Sequence, residues 1–215
     1  PKMYRALPFD EHVSIGTLDI RDPESENPTW TPWKEAQGTI YVSRKKQVRL
    51  NLAKSGDDAE YRLLPLNVLA DFEPDSFVEV DASDSGIGDD GLRELAALGG
   101  VHHLNLHNAG VTGAGFVLFA PETPIESLDL SGNPFESKWL PWLAQFETMT
   151  SLNIYDTRVD DSGLSHLSDQ AGLRLLVLPE EIGDDGLKYL SGLTGLESLD
   201  LSRRRVTDRG LSFLG

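Results

Sequence analysis

Short bursts of alternating apolar and polar residues return on a fixed beat from Phe77 to Gly215, and the rest of the chain precedes them. The residues that open the bursts are Val80, Leu104, Leu128, Leu152, Leu176 and Leu199, at steps of 24, 24, 24, 24 and 23. A second anchor keeps the same time at Gly91, Gly115, Trp139, Gly163, Gly186 and Gly210. Two anchors agreeing over six units predict a solenoid, in which each unit packs only on its neighbours. Within a unit, Leu104 and Leu106 flank Asn105, so the leucines point into the stack and the residue between them points out of a strand. A turn follows, carrying Val111, Val159, Ile182 or Val206, and then a segment such as DDGLRELAALGG. Its Leu92, Leu95 and Leu98 form the buried stripe of a short helix. Aspartates just ahead of these helices (Asp90, Asp161, Asp185 and Asp208) are expected to accept the free amides of the first turn. One strand and one helix cannot bury a core alone, so the strands are expected to stack as a parallel sheet with the helices outside. The helical layer is the wider one, which curves the stack.

Residues 1–54 show a different period. The runs SIGTLDIRD, GTIYVS and QVRLNLA alternate strictly, with Leu18 and Ile20, Ile40 and Val42, and Val48, Leu50 and Leu52 on their apolar faces. The stretch DPESENPTWTPWKEAQ between the first two reads as a proline-punctuated loop carrying Trp30 and Trp33. An isolated hairpin is marginal in water, and a solenoid needs its first apolar cross-section covered. The region is therefore predicted to be a β-rich N-terminal cap, with Val48 to Leu52 as the strand before the first repeat and the tryptophans as cap core or ligand contacts. Residues 55–76 read as a bridge with a short helix in LLPLNVLADF, and residues 77–215 as the six repeats.

The units resemble leucine-rich repeats of the bacterial form LxxLxLxxTxVTDxGLxxL. Leu196, Leu199, Leu201, Val206, Thr207, Asp208, Gly210, Leu211 and Leu214 carry the match in the last unit, and Leu152, Ile154, Thr157, Val159, Asp161, Gly163, Leu164 and Leu167 in the fourth. The resemblance implies an α/β fold: a right-handed, ribonuclease-inhibitor-like solenoid with a curved parallel sheet inside and short helices outside. It implies a module that binds macromolecules, and it brings no catalytic residues. Two units depart from the pattern. In the third, Asn133, Pro134 and Phe135 replace the usual turn and Trp139 the glycine; the fifth is one residue short. Breaks in a regular array are where function or a local bend concentrates.

The outward positions form columns across the sheet. The central one is Asp81, Asn105, Asp129, Asn153, Val177 and Asp200. Flanking columns carry His103 and Leu175 on one side and His107, Tyr155 and Pro179 on the other. The alternating carboxylates and amides can accept bonds from basic side chains of a partner, or only bond one another along the ladder. Leu175, Val177 and Pro179, beside Tyr155, make an apolar island that reads as a binding hot spot or as a register effect of the missing residue. Arg203, Arg204 and Arg205 are the basic cluster, and Arg203 falls beside Glu180 and Asp156, which predicts a structural ion pair. Trp139 is expected to pack where the glycine is missing, with Trp142 three residues on along the same helix.

Charge and chemistry narrow the class. A formal net charge of −16 argues against nucleic acid and anionic membranes and favours a basic protein or peptide partner, or simply a solvated surface. There is no cysteine, hence no disulfide or thiolate metal site, and no apolar run long enough for a membrane span. His103 and His107 are roughly 13 Å apart along a strand, too far to share an ion, and Asp81 and Asp129 are about 10 Å apart across two strands. No hydrolase, metalloprotease or phosphate-loop motif is present, so no catalytic, cofactor or metal residue is assigned. The expected function is a non-enzymatic protein- or peptide-binding module using the concave sheet. The alternative classes are a structural array that positions a further domain and, more remotely, part of an enzyme whose catalytic domain lies elsewhere. A chain that starts at Pro1 and stops within a repeat is expected of a fragment or mature form; cytoplasm is the default compartment.

Overall fold

The computed structural model describes residues 4–8, 16–26, 28–36, 39–43, 45–52, 72–73 and 75–214. Among the described residues, five strands form the N-terminal region: β1 (Tyr4–Pro8), β2 (Gly16–Arg21), β3 (Thr31–Glu35), β4 (Thr39–Ser43) and β5 (Gln47–Leu52). Each repeat then adds a three-residue strand: β6 (Glu79–Asp81), β7 (His103–Asn105), β8 (Ser127–Asp129), β9 (Ser151–Asn153), β10 (Leu175–Val177) and β11 (Ser198–Asp200). Nine strands form one sheet in the order β11-β10-β9-β8-β7-β6-β5-β2-β3. From β5 to β11 every pair is parallel, and the anchors face each other in register: Leu50, Val80, Leu104, Leu128, Leu152, Leu176 and Leu199. This is an α/β leucine-rich-repeat solenoid.

The anchors from Val80 to Leu176 are at most 3% exposed, so each leucine contributes roughly 1.5–3 kcal/mol of burial. Leu199 is only half-buried, because β11 ends the sheet. Behind the strands, the helical layer varies with the unit. The first repeat makes a true helix, α1 (Gly88–Leu95), and the third, fifth and sixth make single turns, α2 (Leu140–Leu143), α3 (Asp184–Leu187) and α4 (Asp208–Leu211). The second and fourth use 3-10 turns at Ala114–Leu118 and Gly163–Leu167. A 3-10 turn is an economical form for so short a segment, since side chains three apart, such as Leu164 and Leu167, lie on one side of it.

The cap differs from expectation in two places. The segment expected as a loop contains β3, the outer edge strand, where Pro32 breaks the ladder beside a register shift between Leu18 and Asp19. Strand β4 leaves the main sheet and pairs antiparallel with β1 in a separate two-stranded sheet. Within the main sheet, β2 pairs antiparallel with β5 and buries Leu18 against Leu50. The bridge expected over 55–76 falls largely on residues 53–71 and 74, outside the described residues.

The helix-preceding aspartates also act differently from expectation. None of Asp90, Asp161 and Asp185 caps its own helix; in α4 the cap is the Thr207 hydroxyl, which accepts from the Arg209 amide at 3.3 Å. Asp160 does hold the first amide of its own unit's turn, that of Gly163 (2.9 Å), but three other acids reach into the next unit. Asp89 accepts Thr112 N (3.2 Å), Thr112 Oγ1 (2.5 Å), Gly113 N (3.0 Å) and Gly115 N (3.2 Å). Asp161 accepts Gly183 N (2.9 Å), and Asp184 accepts Thr207 N (2.8 Å) and Oγ1 (2.5 Å).

This staple accounts for part of the second anchor. A Cβ at Gly186 would lie 2.5 Å from Asp161 Oδ1, and one at Gly163 would lie 2.5 Å from Ser137 Oγ. At Gly163, Gly186 and Gly210 a polar side chain of the preceding unit occupies the place of a Cβ, whereas at Gly91 and Gly115 the apolar Ile87 and Leu92 do. At the third repeat the sizes are exchanged: Trp139 replaces the glycine, and the residue facing it is Gly113, at φ +112°, where a Cβ would meet the indole at 2.6 Å. Trp139 therefore packs as expected, half-buried against the core, while Trp142 stays 41% exposed.

Candidate functional site

The strand registers bring the expected columns together. Asp81, Asn105, Asp129, Asn153, Val177 and Asp200 are consecutive partners, as are Glu79, His103, Ser127, Ser151, Leu175 and Ser198. The face continues into the cap, where Arg49 stands beside Glu79 and Asn51 beside Asp81. Arg49 joins Asp19 (2.5 and 3.0 Å) to Glu79 (3.1 Å), and the Arg21 and Arg49 guanidiniums lie 4.5 and 5.1 Å from the Trp30 ring centroid. Trp30 is thus held between cations at the cap end of the face.

Each polar residue of the central column has a local task. One side-chain oxygen accepts the amide two residues on: Asp81 from Ser83 (3.0 Å), Asn105 from His107 (3.0 Å), Asp129 from Ser131 (2.8 Å), Asn153 from Tyr155 (3.1 Å) and Asp200 from Ser202 (2.8 Å). Asp and Asn do this equally well, because the acceptor is an oxygen in both. The bonds from Ser202, through its side chain and amide, hold the Asp200 carboxyl below the usual carboxylate range. Along the ladder, Asn153 Nδ2 donates to Asp129 Oδ2 at 3.0 Å, so part of the column bonds internally. The remaining acceptor capacity faces solvent. A hollow of about 370 Å³ opens over β6 to β8, lined by Glu79, His103, Leu104, Asn105, Ser127 and Asp129.

The histidines are separated as their spacing predicts. His107 Nδ1 is 2.9 Å from Ser131 Oγ, while His102 turns away to Glu126 (2.9 Å). His103 lines the hollow. Among the described residues, no group of three His, Asp or Glu side chains is placed to hold a metal ion.

The fifth repeat breaks the column in an intelligible way. Its residue at the position of Ser83 or Tyr155 is Pro179, which has no N–H, so no acceptor is required two residues earlier and Val177 stands there. Leu175 and Tyr155 are 39% and 38% exposed beside the half-buried Val177. Pro179, expected as part of this island, is buried instead. Tyr155 Oη donates to Glu180 Oε1 at 2.9 Å, and this bond, with the charge of Glu180, pushes the phenol pKa up.

Arg204 buries Pro179. In the first, third and fourth repeats, the residue five after the anchor turns inward onto backbone carbonyls, with Ser85 Oγ bonding that of Ala82 (2.6 Å), while the second has the buried Ala109 there. Asn133 Nδ2 bonds the oxygens of Leu106 (2.7 Å) and Leu130 (2.8 Å), and Thr157 Oγ1 bonds that of Ile154 (2.7 Å). The fifth repeat lacks this residue. Arg204, which holds the position in the sixth, reaches back to donate to the carbonyls of Leu178 and Pro179, the latter at 3.0 Å from Nε. Its side chain is 1% exposed, with Asp200 3.8 Å from Nη1. The ion pair expected of Arg203 with Glu180 and Asp156 is not formed; Arg203 sits instead at φ 61°, the left-handed position also taken by Asp84, Asn108, Gly132 and Asp156. Counting five residues from each anchor would have found this role in the sequence.

A second exposed apolar group lies on the helical side, where Val117 and Leu118 are 41% and 45% exposed and Trp142 41%.

No family model matches the sequence, and no curated protein matches it. Among solved structures, the fold is similar to internalin C2 of Listeria monocytogenes, with a TM-score of 0.55 and 21% identity over 70% of this chain. A second internalin of that organism (inlF) gives a TM-score of 0.44 at 18% identity, over 77% of this chain and 58% of its own. The chain spans 62% of the internalin C2 structure. What is shared is architecture: this chain is built as a leucine-rich-repeat solenoid.

Proposed function

We propose that the chain is a non-enzymatic module that docks a protein or peptide on the solvent-facing side of its sheet. The observation that carries this reading is the break at the fifth repeat. There, Leu175, Val177 and Tyr155 form an apolar group within a face otherwise made of Asp81, His103, Asn105, His107, Asp129, Asn153 and Asp200. An aromatic and aliphatic cluster rimmed by polar groups is the arrangement that concentrates binding energy in protein interfaces. The acidic column and the net charge of −16 favour a basic partner surface.

Pull-down from lysate of the source cells tests the reading, with wild type compared against Leu175→Asp combined with Tyr155→Ala. Both positions are more than a third exposed, so the fold tolerates the change. Loss of bound proteins at unchanged melting temperature supports the reading, and retention of every partner refutes it.

A further inference from the structure

The sheet face has a longer period than one strand. Read every second strand, the central column is Asp81 on β6, Asp129 on β8 and Val177 on β10, with the neutral amides Asn105 and Asn153 between them. The local turn bond does not distinguish Asp from Asn, so the alternation is free to encode charge. Two strand spacings are about 9.6 Å. An extended β-segment laid across the strands returns a side chain to one face every two residues, about 6.7 Å, and falls out of step. An α-helix returns after two turns, about 10.8 Å, and drifts by over 1 Å at each step. A polyproline-II segment has three residues per turn and a rise of about 3.1 Å, hence a period of about 9.3 Å.

Building on the docking surface proposed above, we infer that this face is shaped for a polyproline-II segment carrying a basic residue at i, a second at i+3 and an apolar residue at i+6. The first two side chains meet Asp81 and Asp129, the first beside Glu79 and the second at the hollow that Glu79 and Asp129 line. The third rests on Val177 and Leu175 with Tyr155 at its flank. The preformed helix loses little conformational entropy on binding, and its ring faces suit Tyr155.

Fluorescence anisotropy with two labelled peptides of equal composition tests this. Arg-Pro-Pro-Arg-Pro-Pro-Leu keeps the three-residue period, and Arg-Arg-Pro-Pro-Pro-Pro-Leu breaks it while holding the first arginine and the leucine in place. The in-phase peptide is expected to bind about tenfold tighter, a gap that narrows as salt is raised. Asp81→Asn combined with Asp129→Asn should abolish the preference, because asparagine keeps the turn bond as Asn105 and Asn153 do, and the melting temperature controls for folding. Equal binding of the two peptides, binding of neither, or a preference that survives the double substitution overturns the inference. These outcomes leave the docking surface itself to be decided by the Leu175 and Tyr155 variant.

Discussion

The fourth and fifth repeats share strand, register and helix position, and differ by one turn residue. In the fourth, Asn153 accepts the Tyr155 amide, Asp156 takes the left-handed conformation at φ 53°, and Thr157 turns in to the Ile154 carbonyl. In the fifth, all three devices are gone. Pro179 removes the amide, no left-handed residue follows, and the carbonyls of Leu178 and Pro179 are satisfied by Arg204 of the next unit. A deletion that would orphan buried polar groups is tolerated because one group disappears and a neighbour supplies the donor for the rest. The released surface position becomes apolar, which is where the docking patch arises.

The comparison can be broken most severely through the shared core. Leu152→Ala is expected to cost about 2–5 kcal/mol in urea denaturation, and Leu199→Ala at the half-buried end distinctly less. Arg204→Ala should be of similar size, at about 1–3 kcal/mol for each of the two carbonyls left unpaired, and a Thr157→Ala control should lose only its single bond. Converting one repeat toward the other should be asymmetric. Asn153→Val removes the acceptor of the exposed Tyr155 amide and is expected to cost about 0.5–1.5 kcal/mol, whereas Val177→Asn finds no amide to serve and should be near neutral. Arg203→Gly relieves a left-handed non-glycine residue and should stabilise by about 0.5–1 kcal/mol, read as an upward shift in melting temperature.

Burial works to raise the Asp89 pKa, but the Thr112 hydroxyl and the amides of Gly115, Gly113 and Thr112 outweigh it and hold the carboxyl low. Asp160 is held low by the Gly163 amide with Ser137 and Ser162, and Asp184 by the Thr207 hydroxyl and amide. A carboxyl depressed in the folded state contributes stability above the unfolded pKa near 3.9, and that contribution is lost as pH falls through the folded value. The urea midpoint should therefore stay level from neutral pH to about 5, then fall with acid, less steeply for Asp89→Asn.

Periodicity made the solenoid legible, because Val80, Leu104, Leu128, Leu152 and Leu176 can be buried together only if the units stack in register. It also placed the surface columns, since alternation in a strand leaves no freedom for Asn105 or Asp129. Less legible were contacts across units of different length. Arg204 is one of three arginines in a basic cluster, and its role depends on a gap in the preceding unit; the reciprocal sizes of Gly113 and Trp139 show only when one repeat is set against the next. In the cap, no repeat fixes the partners, so neither the pairing of β1 with β4 nor the edge strand through Pro32 followed from alternation alone.

The account rests on the sheet side of the fifth repeat being the face that binds. Capture of the same partners by wild type, by Leu175→Asp and by Trp142→Asp tests this most directly, because it sets the exposed apolar group of each side against the other. Loss with Leu175→Asp and full retention with Trp142→Asp is expected; loss with Trp142→Asp alone would move the interface to the helical side and contradict the account.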